Sequence, residues 1–246
     1  MKSVLLTTAV AAALVAFAGV TAVTAAPTAS AVPEKVGNFQ LTDHTRLAHE
    51  LYYFEYAPAI VLMSQTNGSK LSRDAAGELA KLQAAYKDKG VLFYMINSNL
   101  SDSRDEAAAE AKKMGFTIPV LMDELQLVGE QLNISREGEI FVLEPKTGFK
   151  VAYHGPLDDR FAKGSPNLKA AAKDAYAAKA IDAVLAGKAV ANPRVEVKIG
   201  KAIAMPEAGK TAEHANISYS KTVAPILQAK CVSCHQKGGI GPFQMN

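Results

Sequence analysis

Continuous apolar runs in this chain alternate with stretches where apolar side chains return every three or four positions. Ala59 to Met63, Ala-Ile-Val-Leu-Met, is a short unbroken apolar run, as expected of a strand buried on both faces. Ser64 to Ser69 is polar and turn-like. Ala75, Leu79, Leu82 and Tyr86 then predict a helix from about Leu71 to Asp88 with one core-facing stripe. Gly90 closes that helix, and Val91 to Ile96 predicts a second buried strand. Next come a helix over Arg104 to Met114 stopped by Gly115, an extended Val120 to Met122, and a short helix over Gln126 to Leu132. Ile140 to Leu143 is a predicted strand, Pro145-Lys146-Thr147-Gly148 a turn, and Val151 to His154 the return strand of a hairpin. A longer Ala-rich helix is expected from Leu168 to Ala186, with Ala177, Ile181, Val184 and Leu185 facing inward.

The order β-α-β-α-β-α-β-β-α predicts an α/β sandwich around a mixed sheet. Met63, Met95, Met114 and Met122 are spaced as core residues, and Asp158-Asp159-Arg160 reads as a solvated loop. Apolar content of 49% and charged content of 21% are ordinary for a chain with a real core. A net charge of +3, with no basic patch interleaved with aromatics, gives no reason to expect a nucleic-acid partner. Met1 to Val23 has one charge, Lys2, followed by an apolar run and then small residues at Thr24-Ala25-Ala26 and Ala29-Ser30-Ala31. That layout predicts a secretory signal peptide over 1–31 and a periplasmic or otherwise exported product, with an uncleaved N-terminal anchor as the one route to a membrane.

Chemistry concentrates near the other end. The only two cysteines stand in Cys231-Val232-Ser233-Cys234-His235, a C-x-x-C-H pattern. Two thiols on one turn can add across the two vinyl groups of a haem, and the histidine that follows lies where an axial iron ligand is needed. A zinc site would call for about four ligands, and no second cysteine pair exists. A dithiol redox pair would be expected early in a βαβ unit and not in a tail. The expected cofactor is one covalent haem c, with Cys231 and Cys234 as anchors and His235 on the iron.

Several landmarks of the body resemble those of redoxin domains, the thioredoxin-fold, peroxiredoxin-like family. They are Val36 to Asp43, Lys89 to Asn97, Pro119 to Asp123, Phe141 to Pro145 and Tyr153 to Arg160. The resemblance covers 32–205. It implies a reactive cysteine at the turn into the first long helix, where this chain has Thr66-Asn67-Gly68-Ser69-Lys70. It also implies a late second cysteine, where Lys201 stands, and a proline facing the thiol near Gly138, where there is none. With Ser69 in the nucleophile's place, thiol peroxidase and disulfide reductase activities are not expected. Ser69 is instead expected to cap the helix, because His44, His49 and His154 cannot be placed beside it as a base. His154 itself reads as a half-buried surface histidine.

The tail 217–246, after a polar linker 206–216 containing His214, resembles the first helix and haem motif of bacterial cytochrome c domains. The resemblance is carried by Ile217 to Leu227 with Thr222 as N-cap and Pro225 in the first turn, by C-x-x-C-H, and by the glycines after it. Such a domain normally takes about eighty residues to wrap its haem, so the stretch reads as the start of one. Met245 follows His235 too closely to reach the opposite face of a haem. The resulting expectation is a one-electron carrier or oxidoreductase component serving redox partner proteins of the cell envelope. The alternative is a binding or scaffolding module of a larger periplasmic oxidoreductase, with an incomplete haem site.

Overall fold

Period-two alternation and helical stripes sort this chain into two layers packed on a central sheet. The computed structural model describes residues 33–206 and 218–245, so the leader and the linker residue His214 lie outside the described residues. Seven strands form one mixed sheet: β1 Gln40–Asp43, β2 Ala48–Glu50, β3 Ile60–Ser64, β4 Leu92–Asn97, β5 Val120–Met122, β6 Ile140–Glu144 and β7 Lys150–Gly155. Their order is β2-β1-β5-β4-β3-β6-β7. β3, β4 and β5 run parallel. β1 pairs antiparallel with β2 and β5, and β6 pairs antiparallel with β3 and β7. Helix α1, Lys70–Ala85, links β3 to β4, and α2, Arg104–Met114, links β4 to β5. α3 is Leu127–Leu132, and α4, Tyr176–Leu185, follows the β6-β7 hairpin. A parallel β-α-β unit joined edge to edge with an antiparallel hairpin and its helix is a thioredoxin-like fold.

Alternation along the strands decides which layer each residue enters. Val61, Met63, Phe93, Met95, Ile140 and Val142 point toward α1 and α4, meeting Ala75, Leu79, Ala177, Ile181 and Val184. Ile60, Leu62, Tyr94, Ile96, Phe141 and Leu143 point the other way, toward Leu51, Val128, Leu132 and Ile203. A register shift between Val142 and Leu143 lets Ala152 and Tyr153 both enter the first layer, which strict alternation would forbid. α2 ends on Gly115 at φ 67°, as the sequence predicted, and carries a full capping box, Ser103 with Glu106, that it did not.

Four expectations need correction. The Ala-rich helix begins at Tyr176 and not at Leu168, because Asp159 Oδ1 accepts the backbone N–H groups of Lys173 and Asp174 at 2.9 and 3.2 Å. Those tertiary bonds compete with a weak, exposed first turn. The β1-β2 hairpin was not foreseen, since Ala48-His49-Glu50 shows no apolar alternation. It is held by Asp43, whose carboxylate accepts from Thr45 N–H and O–H, both 2.7 Å, from Leu47 N–H at 3.1 Å, and meets His49 Nε2 at 2.8 Å. Met114 is 44% exposed and not in the core. The Asp158-Asp159-Arg160 loop is no solvated loop either. Asp158 is buried, Arg160 Nη2 meets Asp158 Oδ2 and Glu78 Oε2 at 2.6 Å each, and the guanidinium ties α1 to the segment after β7.

Removing one partner of such a buried pair leaves an uncompensated charge. Arg160→Met is expected to cost about 3 kcal/mol in urea unfolding, and Asp158→Asn added to it to recover part of that loss. A loss within experimental error for the single variant would mean that the cluster is hydrated and carries no stability.

Candidate functional site

Two places carry candidate chemistry, and they are built differently. The first is the turn from β3 into α1. Ser69 caps α1, its Oγ accepting the Ser72 N–H at 3.3 Å, as the sequence predicted. The amides just before it are also taken. Thr66 N–H donates to Ser72 Oγ at 3.1 Å, Asn67 N–H to Asp102 Oδ2 at 2.6 Å, and Gly68 N–H to Glu110 Oε2 at 2.8 Å. Free amides at a helix N-terminus would attract an anion, but here carboxylates of the chain itself hold two of them.

Behind Ser69 lies a residue that sequence reasoning missed. Glu137 is 2% exposed and accepts from Thr66 Oγ1 at 2.7 Å and Ser72 Oγ at 2.8 Å on one oxygen, and from Lys201 N–H at 2.9 Å on the other. Burial pushes its carboxyl up, yet hydrogen bonds from Ser69, Lys201 N–H, Thr66 and Ser72 together hold it below the usual carboxylate range. Lys201 reaches it because Gly200, at φ 91°, lets 200–202 cross close over Glu137. A Cβ there would sit 2.8 Å from Glu137 O and Cγ. Gly138, at φ 83°, donates its N–H to Ser64 O at 2.8 Å.

Two of the positions where the chain departs from the redoxin pattern, Ser69 and Lys201, therefore meet at one carboxylate, and the third, Gly138, follows it directly in the chain. The only signal for it in sequence was an acidic residue set beside a glycine just ahead of a buried strand. The histidines are engaged elsewhere: His44 Nδ1 accepts Val120 N–H at 3.1 Å, His49 pairs with Asp43, and His154 stacks on Phe141 at 4.5 Å. Ser69, 4% exposed, is held between Ser72 and Glu137.

The second place is the tail. Ser218, rather than the expected Thr222, caps it, accepting Lys221 N–H at 3.2 Å. A π-turn over Tyr219–Val223 then leads into α5, Ala224–Lys230. Pro225 near the start of α5 lacks an N–H and crowds the carbonyl four residues back, which a widened turn relieves. α5 delivers Cys231, and the Cys234 and His235 N–H groups donate to Cys231 O at 3.1 and 3.0 Å, so both thiols and the imidazole leave one turn. The cysteines are free. The chain then doubles back: Gly241 N–H donates to Cys234 O at 2.7 Å and Met245 N–H to His235 O at 2.9 Å. Gly239 and Gly241 are needed for that approach, since a Cβ at Gly241 would fall 2.5 Å from His235 Nδ1.

His235 Nδ1 lies 3.0 Å from Phe243 O, with the two rings 4.5 Å apart. A carbonyl only accepts, so the neutral ring places its proton on Nδ1 and its lone pair on Nε2. A ligating histidine is oriented in the same way. Among the described residues, no group of three or more His, Cys, Asp or Glu converges as for a bare metal ion. No helix among them is long and apolar enough to cross a membrane.

The Glu137 network predicts a pH signature. A carboxyl depressed in the folded state contributes stability above its unfolded range, and that contribution is lost as pH falls through the folded value. Glu137→Gln is expected to cost about 1–3 kcal/mol near neutral pH in urea unfolding. The gap between variant and parent should shrink as pH drops below about 4.3, the ordinary glutamate value. A gap that stays constant to the acid limit would show that Glu137 does not titrate with folding.

No protein-family model matches this chain, and no curated protein matches it. Solved structures do. A hypothetical protein from Sinorhizobium meliloti 1021 is similar at 26% identity and a TM-score of 0.61, over 71% of this chain and 94% of its own. An uncharacterized conserved protein from Geobacillus kaustophilus is similar at 26% identity and a TM-score of 0.61, over 72% and 93%. Peroxidoxin BcpB from Mycobacterium tuberculosis aligns over 63% of this chain and 96% of its own at 19% identity and a TM-score of 0.48. The thioredoxin-like fold therefore rests on the strand order and helix connections of the chain itself.

Proposed function

We propose that this chain is an exported c-type haem protein that passes single electrons, borne on a thioredoxin-like body whose thiol chemistry is absent. The observation that carries the reading is the bond from His235 Nδ1 to Phe243 O, 3.0 Å, which would leave Nε2 free to hold iron next to two free thiols. Haem c bound there would supply exchange of one electron between ferrous and ferric iron. Cys231 and Cys234 would hold the porphyrin through thioethers, and Phe243 O would fix the imidazole. Gly239 and Gly241 would keep the return loop tight against it. The segment's exposed apolar side chains, Ile226 at 57%, Phe243 at 60% and Ile240 at 92%, are surface that a porphyrin would cover. Redox partners in the cell envelope would be the donor and acceptor. The buried Ser69–Glu137 cluster favours a secondary reading in which the body serves as a rigid carrier or docking module of a larger oxidoreductase.

Expression in a periplasm that matures c-type cytochromes is expected to give a chain that keeps haem through denaturing electrophoresis. Cys231→Ala with Cys234→Ala should abolish the signal. Gly241→Ala, which crowds Nδ1, should lower the yield of haem-bearing chain. A colourless full-length product from a strain that matures other c-type cytochromes would refute the reading. Separately, the haem-free chain should show no sustained consumption of hydrogen peroxide with a thiol reductant, measured by peroxide loss. Turnover there would place the chemistry in the body after all.

A further inference from the structure

We propose that the pocket between β7 and the end of α4 is a binding site for a small organic anion, a carboxylate carried on a short aliphatic body. The pocket has a volume of about 400 Å³, within the range of about 300–1,000 Å³ usual for small-molecule sites. Val151, Val184 and Val190 give it apolar walls, and Lys150, Lys188 and Arg194 set three cations around them. Glu144 is the one acidic residue of the described lining, so cations exceed acids three to one.

These cations lack carboxylate partners. Arg46, Arg73, Arg104 and Arg160 each meet an acidic side chain, whereas Lys150, Lys188 and Arg194 meet none among the described residues. Arg194 is the most firmly placed. Residues 193–195 are zipped to β7, His154 N–H donating to Pro193 O at 2.9 Å and Val195 N–H to His154 O at 3.0 Å. The guanidinium itself donates to Pro193 O at 2.7 Å and to Val151 O at 3.1 Å. A guanidinium holds five N–H donors in a rigid fork, so most remain after these two bonds, in a geometry that suits a carboxylate. Burial draws Arg194 below the usual arginine range, and no acid offsets that cost. Lys188 has a partial explanation in the chain. It follows Gly187, at φ 64°, just past the end of α4, and the negative end of a helix draws a cation. That account does not extend to Lys150. Lys150 faces Glu144 in register across the hairpin without an ion pair, and on its other side an isolated bridge sets it opposite Lys35. Like charges placed directly opposite destabilise a strand pair, and an anion in the pocket would offset that repulsion. The apolar walls decide the other half of the ligand. A bare inorganic ion gains nothing from covering three valines, whereas an aliphatic chain removes their surface from water.

No residue of 218–245 takes part, so the site stands or falls apart from the haem reading. The probes are hexanoate, hexylamine and inorganic phosphate, titrated into the full chain by calorimetry at low salt. Hexanoate is expected to bind at least about tenfold more tightly than either of the others, because it alone meets both the cations and the valines. Arg194→Met should weaken hexanoate about tenfold, and Arg194→Lys should recover part of that, since the charge survives without the fork. Lys188→Gln, at an exposed position, should weaken it about threefold and keeps the test decisive if Arg194→Met fails to fold. Glu144→Gln should tighten it about threefold, a sign that a mere loss of structure would not give. Absence of saturable hexanoate binding would overturn the proposal. So would hexylamine or phosphate binding as tightly as hexanoate, or an affinity unchanged in both Arg194→Lys and Lys188→Gln, which would place the ligand elsewhere on the chain.

Discussion

One buried carboxylate organises the end of the sheet where a thioredoxin-like fold places its chemistry. Glu137 collects the hydroxyls of Thr66 and Ser72 and the amide of Lys201, and so joins the turn before α1 to the crossing segment at 200–202. An ionised group at 2% exposure survives only because these donors replace water. Each donor would in turn be left orphaned without it. The turn that elsewhere could be an adaptable reactive loop becomes a rigid joint, with Asp102 and Glu110 closing off its amides from outside. The β3-α1-β4 unit is thus closed by hydrogen bonding at the turn into α1.

The tail solves the opposite problem. It has little core of its own, since Tyr219, Ile226, Ile240 and Phe243 are all exposed. What organises it is local: a cap at Ser218, a proline-widened turn, and a loop that folds back so that Phe243 O faces His235. Short segments of this kind gain order from the groups they bind or pack against. Under the haem reading proposed above, the same apolar residues that leave the segment poorly packed alone are the surface that a porphyrin would cover.

The corner at Gln126 ties together distant parts of the body. Its side chain spans Ser98 O and Ala204 O at 2.7 Å each, fixing the segment at Ala204 to the start of α3. A left-handed glutamine with a buried unpartnered oxygen is a local cost, tolerated because Ser98, Asp123 and Gly129 over-determine the corner.

Much of this was legible in the residues themselves. The β3, β4 and β6 runs, the stripe of α1, the Gly115 stop and the Ser69 cap follow from periodicity and capping, which are properties of neighbouring residues. The C-x-x-C-H motif announces itself because thiol and imidazole spacing along one turn is likewise local. Tertiary structure alone decided the rest. Asp159 capturing two amides cuts the Ala-rich helix short at Tyr176. Asp43 holds together a hairpin with no alternating pattern, and Arg160 turns an apparent surface loop into a buried ionic tie. Above all, Ser69 and Lys201 converge on Glu137 although more than sixty residues separate each of them from it. No periodicity records such a meeting, because it depends on a glycine at position 200 letting one backbone segment cross closely over another.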